Sequence, residues 1–150
     1  MLAKDVAASL RLSQSEVSKA IRRCVESGLL HWTDLEWRVN RAGLVEFLIH
    51  GIRYVFPLVR GTLVRGYPTG AWVEPLKGMI AAGDPPEVWT HPNGTVRGLA
   101  VPPLYKTAPE AAIRDEALYR MFALCDALRG GRARERKLAA ELVKAQILHA

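Results

Sequence analysis

The 150-residue sequence has few cysteines and no long apolar run, so it lacks the features on which disulfide frameworks and membrane spans depend. Its two cysteines, Cys24 and Cys125, both fall in apolar helical patterns, which predicts reduced, buried thiols rather than a disulfide framework or a C-x-x-C site. No stretch approaches the run of about 18 apolar residues that a transmembrane helix needs. The segment MLAKDVAASL is too short and too polar for a signal peptide. These absences predict a soluble, cytoplasmic protein with no membrane partner.

The sequence also lacks the common motifs of enzymatic chemistry. The four histidines (His31, His50, His91 and His149) show no metal-ligand spacing. No H-E-x-x-H, phosphate-binding loop or G-x-S-x-G motif occurs. Distant segments can still assemble a catalytic group, but the motifs predict a protein that is not an enzyme. We expect no catalytic residues, no bound metal and no cofactor.

Positive charge, in contrast, is present in excess. The chain has 21 Lys and Arg residues against 15 Asp and Glu residues, a formal net charge of +6. Such an excess favours a polyanionic partner, although it concerns association rather than fold. A hydrophobic content of 49% and a charged content of 24% are typical of soluble globular proteins, so the chain has enough apolar residues for a core.

The clearest local pattern is LSQSEVSKAIRRCVESGLL, which predicts a helix over residues 14–27. Ser13 and Glu16 have the S-x-x-E spacing of a capping box, and Gly28 provides a C-terminal stop. The buried stripe consists of Val17, Ala20, Ile21, Cys24 and Val25. The outer face of this helix carries small hydrogen-bonding and basic side chains: Gln14, Ser15, Ser18, Lys19, Arg22 and Arg23.

The flanking segments extend this pattern. A short helix is predicted upstream in AKDVAASLRL, and LLHWTDLEWRVN predicts strands over residues 29–32 and 37–40 around the turn Thr33 to Glu36. The order of helix, turn, capped basic helix and hairpin over residues 3–40 resembles the winged helix-turn-helix transcriptional regulators, in the broad manner of the MarR-like bacterial DNA-binding proteins.

The resemblance implies a sequence-specific regulator of double-stranded DNA, acting as a dimeric repressor that inserts helix 14–27 into the major groove. On this mapping Gln14, Ser15 and Ser18 contact base edges. Lys19, Arg22 and Arg23 hold phosphates, and Arg38 contacts the backbone or the minor groove. The alternative for the basic side chains is a solvated helix face.

One feature departs from the resemblance. Such domains normally begin with a further helix that packs across the pair, and here the chain starts almost inside the first of the two. Part of the apolar surface of Val6, Leu10, Val17 and Ile21 is then left uncovered. A later helix or a partner subunit could supply the cover, or the numbering begins downstream of the true start. The uncovered surface favours a homodimer.

A second basic cluster occurs in RGGRARERK near the C-terminus. Its cations are Arg129, Arg132, Arg134, Arg136 and Lys137, against the single carboxylate of Glu135. Cations at a helix N-terminus oppose the helix dipole, so we expect a contact with a nucleic-acid backbone or an acidic partner protein. The alternative is a solvated first turn of a helix.

The remaining sequence predicts an α+β, mostly helical fold: a winged helix-turn-helix with a C-terminal helical hairpin and a short β-hairpin. The hairpin is placed at Asn93-Gly94, between Val88 or Trp89 and Val96. Three aromatic residues of the middle region (Tyr67, Trp72 and Trp89) are either packing anchors or the lining of an effector pocket. The expected divisions are 1–57, the DNA-binding region with an apolar helix around Leu44 to Ile52 that Pro57 ends; 58–108, Gly- and Pro-rich; and 109–150, a helical pair over 109–128 and 132–148.

These patterns leave two functions from different classes. The first is the dimeric DNA-binding regulator. The second is a protein-interaction module on a winged-helix scaffold, for example an antitoxin-like regulator that binds a partner protein through the C-terminal helices or the middle region, since fold does not fix function.

Overall fold

The computed structural model describes residues 3–150, which form an α+β and mostly helical fold, as predicted. The helices are α1 (Ala3–Leu10), α2 (Gln14–Glu26), α3 (Arg41–His50), α4 (Ile52–Val55), α5 (Leu76–Met79), α6 (Ala108–Ala112), α7 (Glu116–Gly130) and α8 (Ala133–Leu148). The strands are β1 (Leu30–Thr33), β2 (Glu36–Val39), β3 (Leu63–Pro68), β4 (Glu87–Thr90) and β5 (Val96–Ala100). Within the described residues, no helix combines the length and apolarity that crossing a bilayer requires.

The N-terminal unit has the predicted order of helix, turn, helix and hairpin. Ser13 caps α2, and the reciprocal hydrogen bonds of the capping box are both present. Arg11 takes a left-handed conformation, with φ of 57°, in the turn between α1 and α2. The hairpin is also present, but each strand lies one residue nearer the turn than predicted. The turn therefore has two residues, Asp34 and Leu35, both with positive φ.

The main core is formed by α3 and α4 together with the C-terminal helices. Leu48 and Ile52 pack with Leu124, Leu128 and Val143, so that α3 and α4 lie against α7 and α8. The apolar helix predicted to end at Pro57 is instead two helices, because it is interrupted at Gly51 between α3 and the short α4, which ends at Val55. Residues 41–55 therefore share a core with the C-terminal helices.

The strands of the middle region form a small three-stranded barrel. Strand β3 is antiparallel to both β4 and β5, and β4 and β5 are parallel to each other. The predicted antiparallel hairpin at Asn93-Gly94 is therefore wrong. Gly94 accepts no side chain because a Cβ there would lie 2.3 Å from the Cα of Gly66. The glycine permits close approach to β3 rather than a hairpin turn.

The C-terminal helices form the predicted hairpin, with α7 and α8 packed together and broken at Gly130 and Gly131. The single helix expected over 109–128 is instead two helices, α6 and α7. Asp115 accounts for the division, because its carboxylate accepts a hydrogen bond from the amide of Leu118, 3.1 Å away, and so caps α7.

Both cysteines are free thiols, as predicted. Cys24 is half-buried in α2, and Cys125 is buried in α7. Burial, and to a smaller extent the neighbouring Asp126 carboxylate, raise the pKa of the Cys125 thiol to about 12.

Candidate nucleic-acid interface

The outer face of α2 is exposed along its whole length. The helix advances about 100° per residue, which places Ser15, Ser18, Lys19 and Arg22 in one sector of the surface, opposite the buried Val17. Gln14 and Arg23 lie at the two sides of that sector and are also exposed. The structure therefore exposes all six predicted contact residues of this helix, four of them in one sector and Gln14 and Arg23 on its opposite flanks.

The capping box fixes where this face begins. The amide of Ser13 donates to Oε2 of Glu16 at 2.9 Å, and the amide of Glu16 donates to Oγ of Ser13 at 3.1 Å. Hydrogen bonds from the Ser13 backbone and hydroxyl lower the pKa of the Glu16 carboxyl. The carboxylate of Glu16 is thereby held at the helix terminus, where it complements the helix dipole.

The β1–β2 hairpin has two different faces. Because side chains alternate along a strand, the opposed pairs Leu30–Val39 and Trp32–Trp37 lie on one face. The rings of Trp32 and Trp37 meet edge to face with centroids 5.0 Å apart, yet these side chains remain 56% and 40% exposed. One face of the hairpin is therefore apolar and accessible.

The opposite face of the hairpin is polar and carries the predicted contact Arg38. Its guanidinium forms an ion pair with Glu36, 2.6 Å away on the same strand. Both side chains are well exposed, so this pair is weak in water. Arg38 is accessible, but its charge is partly compensated by that of Glu36.

The segment around α6 attaches the helix-turn-helix to the rest of the fold. The hydroxyl of Tyr105 donates to the carbonyl of Leu10 at 3.0 Å, and the hydroxyl of Thr107 donates to the carbonyl of Arg11 at 2.7 Å. The guanidinium of Arg11 lies 3.9 Å from the carboxylate of Glu110. Helix α6 also contacts α1, and so supplies part of the cover that the sequence left open.

The second basic cluster requires a correction at Arg129. Its side chain is only 2% exposed and forms an ion pair with Asp126 at 2.7 Å. It also donates to the backbone carbonyls of Phe56 and Pro102. Arg129 therefore has no exposed charge for an anion or a partner. Composition alone could not reveal the burial of Arg129. Only the structure shows that the side chains of Asp126 and Arg129, three residues apart, both point into the core.

The other cations of this cluster lie at the N-terminal end of α8. Arg132, Arg134 and Lys137 are exposed, and Arg136 donates to the carbonyl of Gly131 at 2.8 Å. At about 1.5 Å per residue, a helix of this length extends for about 24 Å. Just beyond the C-terminal end of α8, the carbonyl of Ala150 accepts a hydrogen bond from the guanidinium of Arg41. Arg41 is the first residue of α3, which follows the hairpin. The cluster therefore lies at the far end of α8 from Arg41.

The aromatic residues of the middle region have separate positions. Tyr67 and Trp72 line a surface groove together with Tyr119. Trp89 is instead a packing residue: it is 1% exposed, and its indole N–H donates to Asp126 at 2.8 Å. The groove also includes Lys77 and Arg114, which the sequence analysis did not single out. No local pattern marks them, since Lys77 lies in α5 and Arg114 in the turn between α6 and α7, and these segments meet only in the fold.

No group of three or more His, Cys, Asp or Glu side chains within residues 3–150 is arranged to hold a metal ion. No protein-family model, curated protein or solved structure matches this chain.

Proposed function

We propose that this protein is a sequence-specific regulator of transcription that binds double-stranded DNA as a dimer and acts as a repressor. Helix α2 enters the major groove in this proposal, with Gln14, Ser15 and Ser18 at the base edges and Lys19, Arg22 and Arg23 at the phosphates. The proposed half-sites are about 34–36 Å apart, one helical turn of DNA.

The observation that carries this proposal is the composition of the exposed face of α2. Its exposed sector begins with short hydrogen-bonding side chains and continues with cations, the order that a recognition helix needs. Arg22 and Arg23 make no side-chain hydrogen bond or ion pair with the other described residues, so phosphates would not have to displace a partner of these two, whereas Lys19 also interacts electrostatically with Glu16. The adjoining hairpin is exposed and could contact the flanking backbone.

Fluorescence anisotropy tests this proposal on random-sequence duplex DNA, at salt concentrations from about 50 to 200 mM. Light scattering on the same sample gives the oligomeric state. We expect a dimer whose affinity falls steeply with salt, because bound Lys and Arg release counterions from DNA. A protein that does not bind duplex DNA at the lowest salt concentration overturns the proposal.

A second candidate function is an interaction module that binds a partner protein. The apolar face of the β1–β2 hairpin favours it, because Trp32, Trp37 and Val39 are 56%, 40% and 50% exposed. Aromatic residues are enriched at protein interfaces, whereas DNA phosphates provide no apolar surface for an indole to pack against. Deletion of the indoles in the variant Trp32→Ser/Trp37→Ser distinguishes the two functions: it abolishes capture of a protein partner but leaves the salt dependence of DNA binding unchanged.

A further inference from the structure

Two arginines lie directly opposite each other on the outside of the barrel. Arg65 of β3 and Arg97 of β5 are register partners, and both are exposed, whereas Gly66 and Gly98, the next residue of each strand, are buried. Directly opposed side chains of antiparallel strands have Cβ atoms about 4.5–5.5 Å apart, and like charges there repel each other. Neither guanidinium makes a hydrogen bond or ion pair with the other described residues. The fold therefore holds two cations together and leaves both open to an anion.

A hollow of about 140 Å³ lies at this pair, and its lining consists of Arg65, Thr95, Val96 and Arg97. It is smaller than the sites that enclose organic ligands, which have volumes of about 300–1,000 Å³. It has room for a single phosphate group, whose oxygens accept hydrogen bonds from guanidinium N–H groups in pairs. The hydroxyl of Thr95 adds a further donor. The hollow is therefore suited to one phosphate rather than to an enclosed organic molecule.

Two aromatic rings lie beside the arginine pair. Tyr67 follows Arg65 by two residues on β3 and so lies on the same face of the strand. Its ring contacts the imidazole of His91, with centroids 4.9 Å apart, and both side chains are half-buried. The amide of His91 donates to the carbonyl of Arg65 at 3.1 Å, and its Nδ1 accepts a hydrogen bond from the amide of Asn93 at 3.1 Å. The two rings are therefore fixed next to the cations.

The hollow continues into the surface groove that Tyr67, Trp72 and Tyr119 line, because Thr95 borders both. The charged side chains of this groove are the cations Lys77, Arg114 and Arg120 and the carboxylates Glu74 and Glu116. With Arg65 and Arg97, the continuous surface has five cations against two carboxylates. Cations and half-buried aromatic rings thus recur along it, beyond the hollow itself.

This arrangement indicates an extended ligand with phosphates and unpaired bases. Proteins that bind single strands combine a positively charged groove, which follows the backbone, with aromatic rings on which bases stack. In a duplex the faces of the bases are already stacked on each other, so rings beside the backbone would gain little from it. A lone phosphate, in turn, would leave the rings and the cations of the groove unused.

We propose that this surface binds single-stranded nucleic acid. A backbone phosphate lies between Arg65 and Arg97, one base stacks on Tyr67, and the strand continues into the groove past Lys77 and Arg114. The surface belongs to the part of the chain outside the helix-turn-helix and hairpin, so this proposal does not depend on duplex binding by α2.

Fluorescence anisotropy of labelled oligouridylate and oligothymidylate tests the ligand class. Strands of about 12 nucleotides are within the range of about 4–16 that small single-strand-binding barrels cover. We expect at least one of them to bind, and the tighter one identifies the preferred strand as RNA or DNA. Unlabelled oligoglutamate of the same length should displace it at least about tenfold less effectively, because it has charge but no bases. No binding at about 50 mM salt, or equal displacement by oligoglutamate, overturns the proposal.

Two variants test the assigned residues. Arg65→Gln/Arg97→Gln should weaken binding of the strand by at least about tenfold. It should also reduce the magnitude of the salt slope by about 0.7, the contribution of one phosphate on a single strand. Tyr67→Leu should weaken binding by at least about fivefold and leave the slope unchanged, because it removes stacking and no charge. Wild-type affinity in the arginine variant overturns the site.

The matched control is Arg22→Gln/Arg23→Gln, which carries the same net charge as the arginine variant of the barrel. It should bind the single strand like the wild-type protein, and Arg65→Gln/Arg97→Gln should bind duplex DNA like the wild-type protein. The melting temperature of Arg65→Gln/Arg97→Gln should be no lower than that of the wild-type protein, because the opposed like charges are removed. A lower value would show that these arginines have partners within the protein and would overturn the open anion site. If the single strand binds through Arg65 and Arg97 but duplex DNA does not bind, this surface stands and the proposed regulator does not.

Discussion

Asp126 and Arg129 form an ion pair within α7, 2.7 Å apart, in which both side chains are 2% exposed. The carboxylate also accepts hydrogen bonds from the hydroxyl of Thr69 at 2.7 Å and the indole of Trp89 at 2.8 Å. The guanidinium reaches the carbonyl ends of two loops, at Phe56 and Pro102. This network joins α7 to the barrel and to the end of α4, and all buried polar side-chain atoms of the described residues are satisfied.

The first prediction concerns this pair. We expect Asp126→Asn to lower the free energy of unfolding by about 3–5 kcal/mol, because it leaves the buried charge of Arg129 without its partner. The control is Glu116→Gln, which breaks the exposed pair with Arg120 and should cost less than about 1 kcal/mol. Urea unfolding measures both. Equal losses for the two variants would contradict the assigned role of burial.

The second prediction concerns pH and Glu87. Burial raises the pKa of the Glu87 carboxyl above its ordinary value of 4.5, although Arg60 lies 3.1 Å away and opposes the shift. The folded state therefore binds this proton more tightly than the unfolded chain, so its contribution to stability is lost as the pH rises through the folded-state pKa.

The measurement is urea unfolding of the wild-type protein and of Glu87→Gln between about pH 4 and pH 7. We expect the stability of the wild-type protein, relative to the variant, to fall as the pH rises. The exposed Glu141→Gln variant controls for the loss of one carboxylate. A relative stability that rises with pH would show that Arg60 outweighs desolvation at this position.

The third prediction concerns the close approach of two glycines in the barrel. A Cβ at position 94 would lie 2.3 Å from the Cα of Gly66, so Gly94→Ala should destabilise the fold by about 2–3 kcal/mol. A Cβ at Gly61 would make an ordinary contact of 3.5 Å with the Cβ of Ala100. Gly61→Ala should therefore change stability by less than about 1 kcal/mol. Thermal unfolding compares the two, and comparable melting temperatures would contradict the close packing.

The fourth prediction tests the outer face of α2. We expect Arg22→Gln/Arg23→Gln to weaken binding to all duplex sequences and to flatten the salt dependence, because two phosphate contacts are lost. Arg97→Gln/Lys144→Gln carries the same net charge and should bind like the wild-type protein. Anisotropy titrations at several salt concentrations measure both slopes. A normal slope in the Arg22/Arg23 variant would show that this face does not contact DNA.

Local signals predicted the helices and the hairpin of the N-terminal unit well, although Val25, expected in the buried stripe of α2, is 44% exposed. Helix α2 begins at Gln14 and ends at Glu26, close to the predicted 14–27, because the cap at Ser13 and the stop at Gly28 act on adjacent backbone groups. The hairpin followed from its short strands and polar turn. The outer face of α2 was predicted for the same reason: helical periodicity decides which side chains are opposite the buried stripe.

The predictions that the structure overturned share a different cause, which is contact between segments far apart in the sequence. Asn93-Gly94 has the composition of a hairpin turn, but the sequence does not indicate that β3 pairs with both strands and requires Gly94 at its surface. Likewise, Arg129 adds to a run of cations in the sequence, and only its distant neighbours, including Phe56 and Pro102, explain its burial. The groove at Tyr67 and Arg114 joins segments that are far apart in sequence, so no local spacing could predict it.

The edge-to-face contact of Trp32 and Trp37 has an optical consequence. The two indoles lie directly opposite each other on β1 and β2 and are close enough for their electronic transitions to couple. Their exciton signal in circular dichroism exists only while the hairpin keeps its register. Trp89, at 1% exposure, is shielded from water, and the two exposed indoles emit at longer wavelength. The unmodified chain therefore carries its own spectroscopic reporter for the hairpin in circular dichroism, whereas its fluorescence also includes the half-buried Trp72.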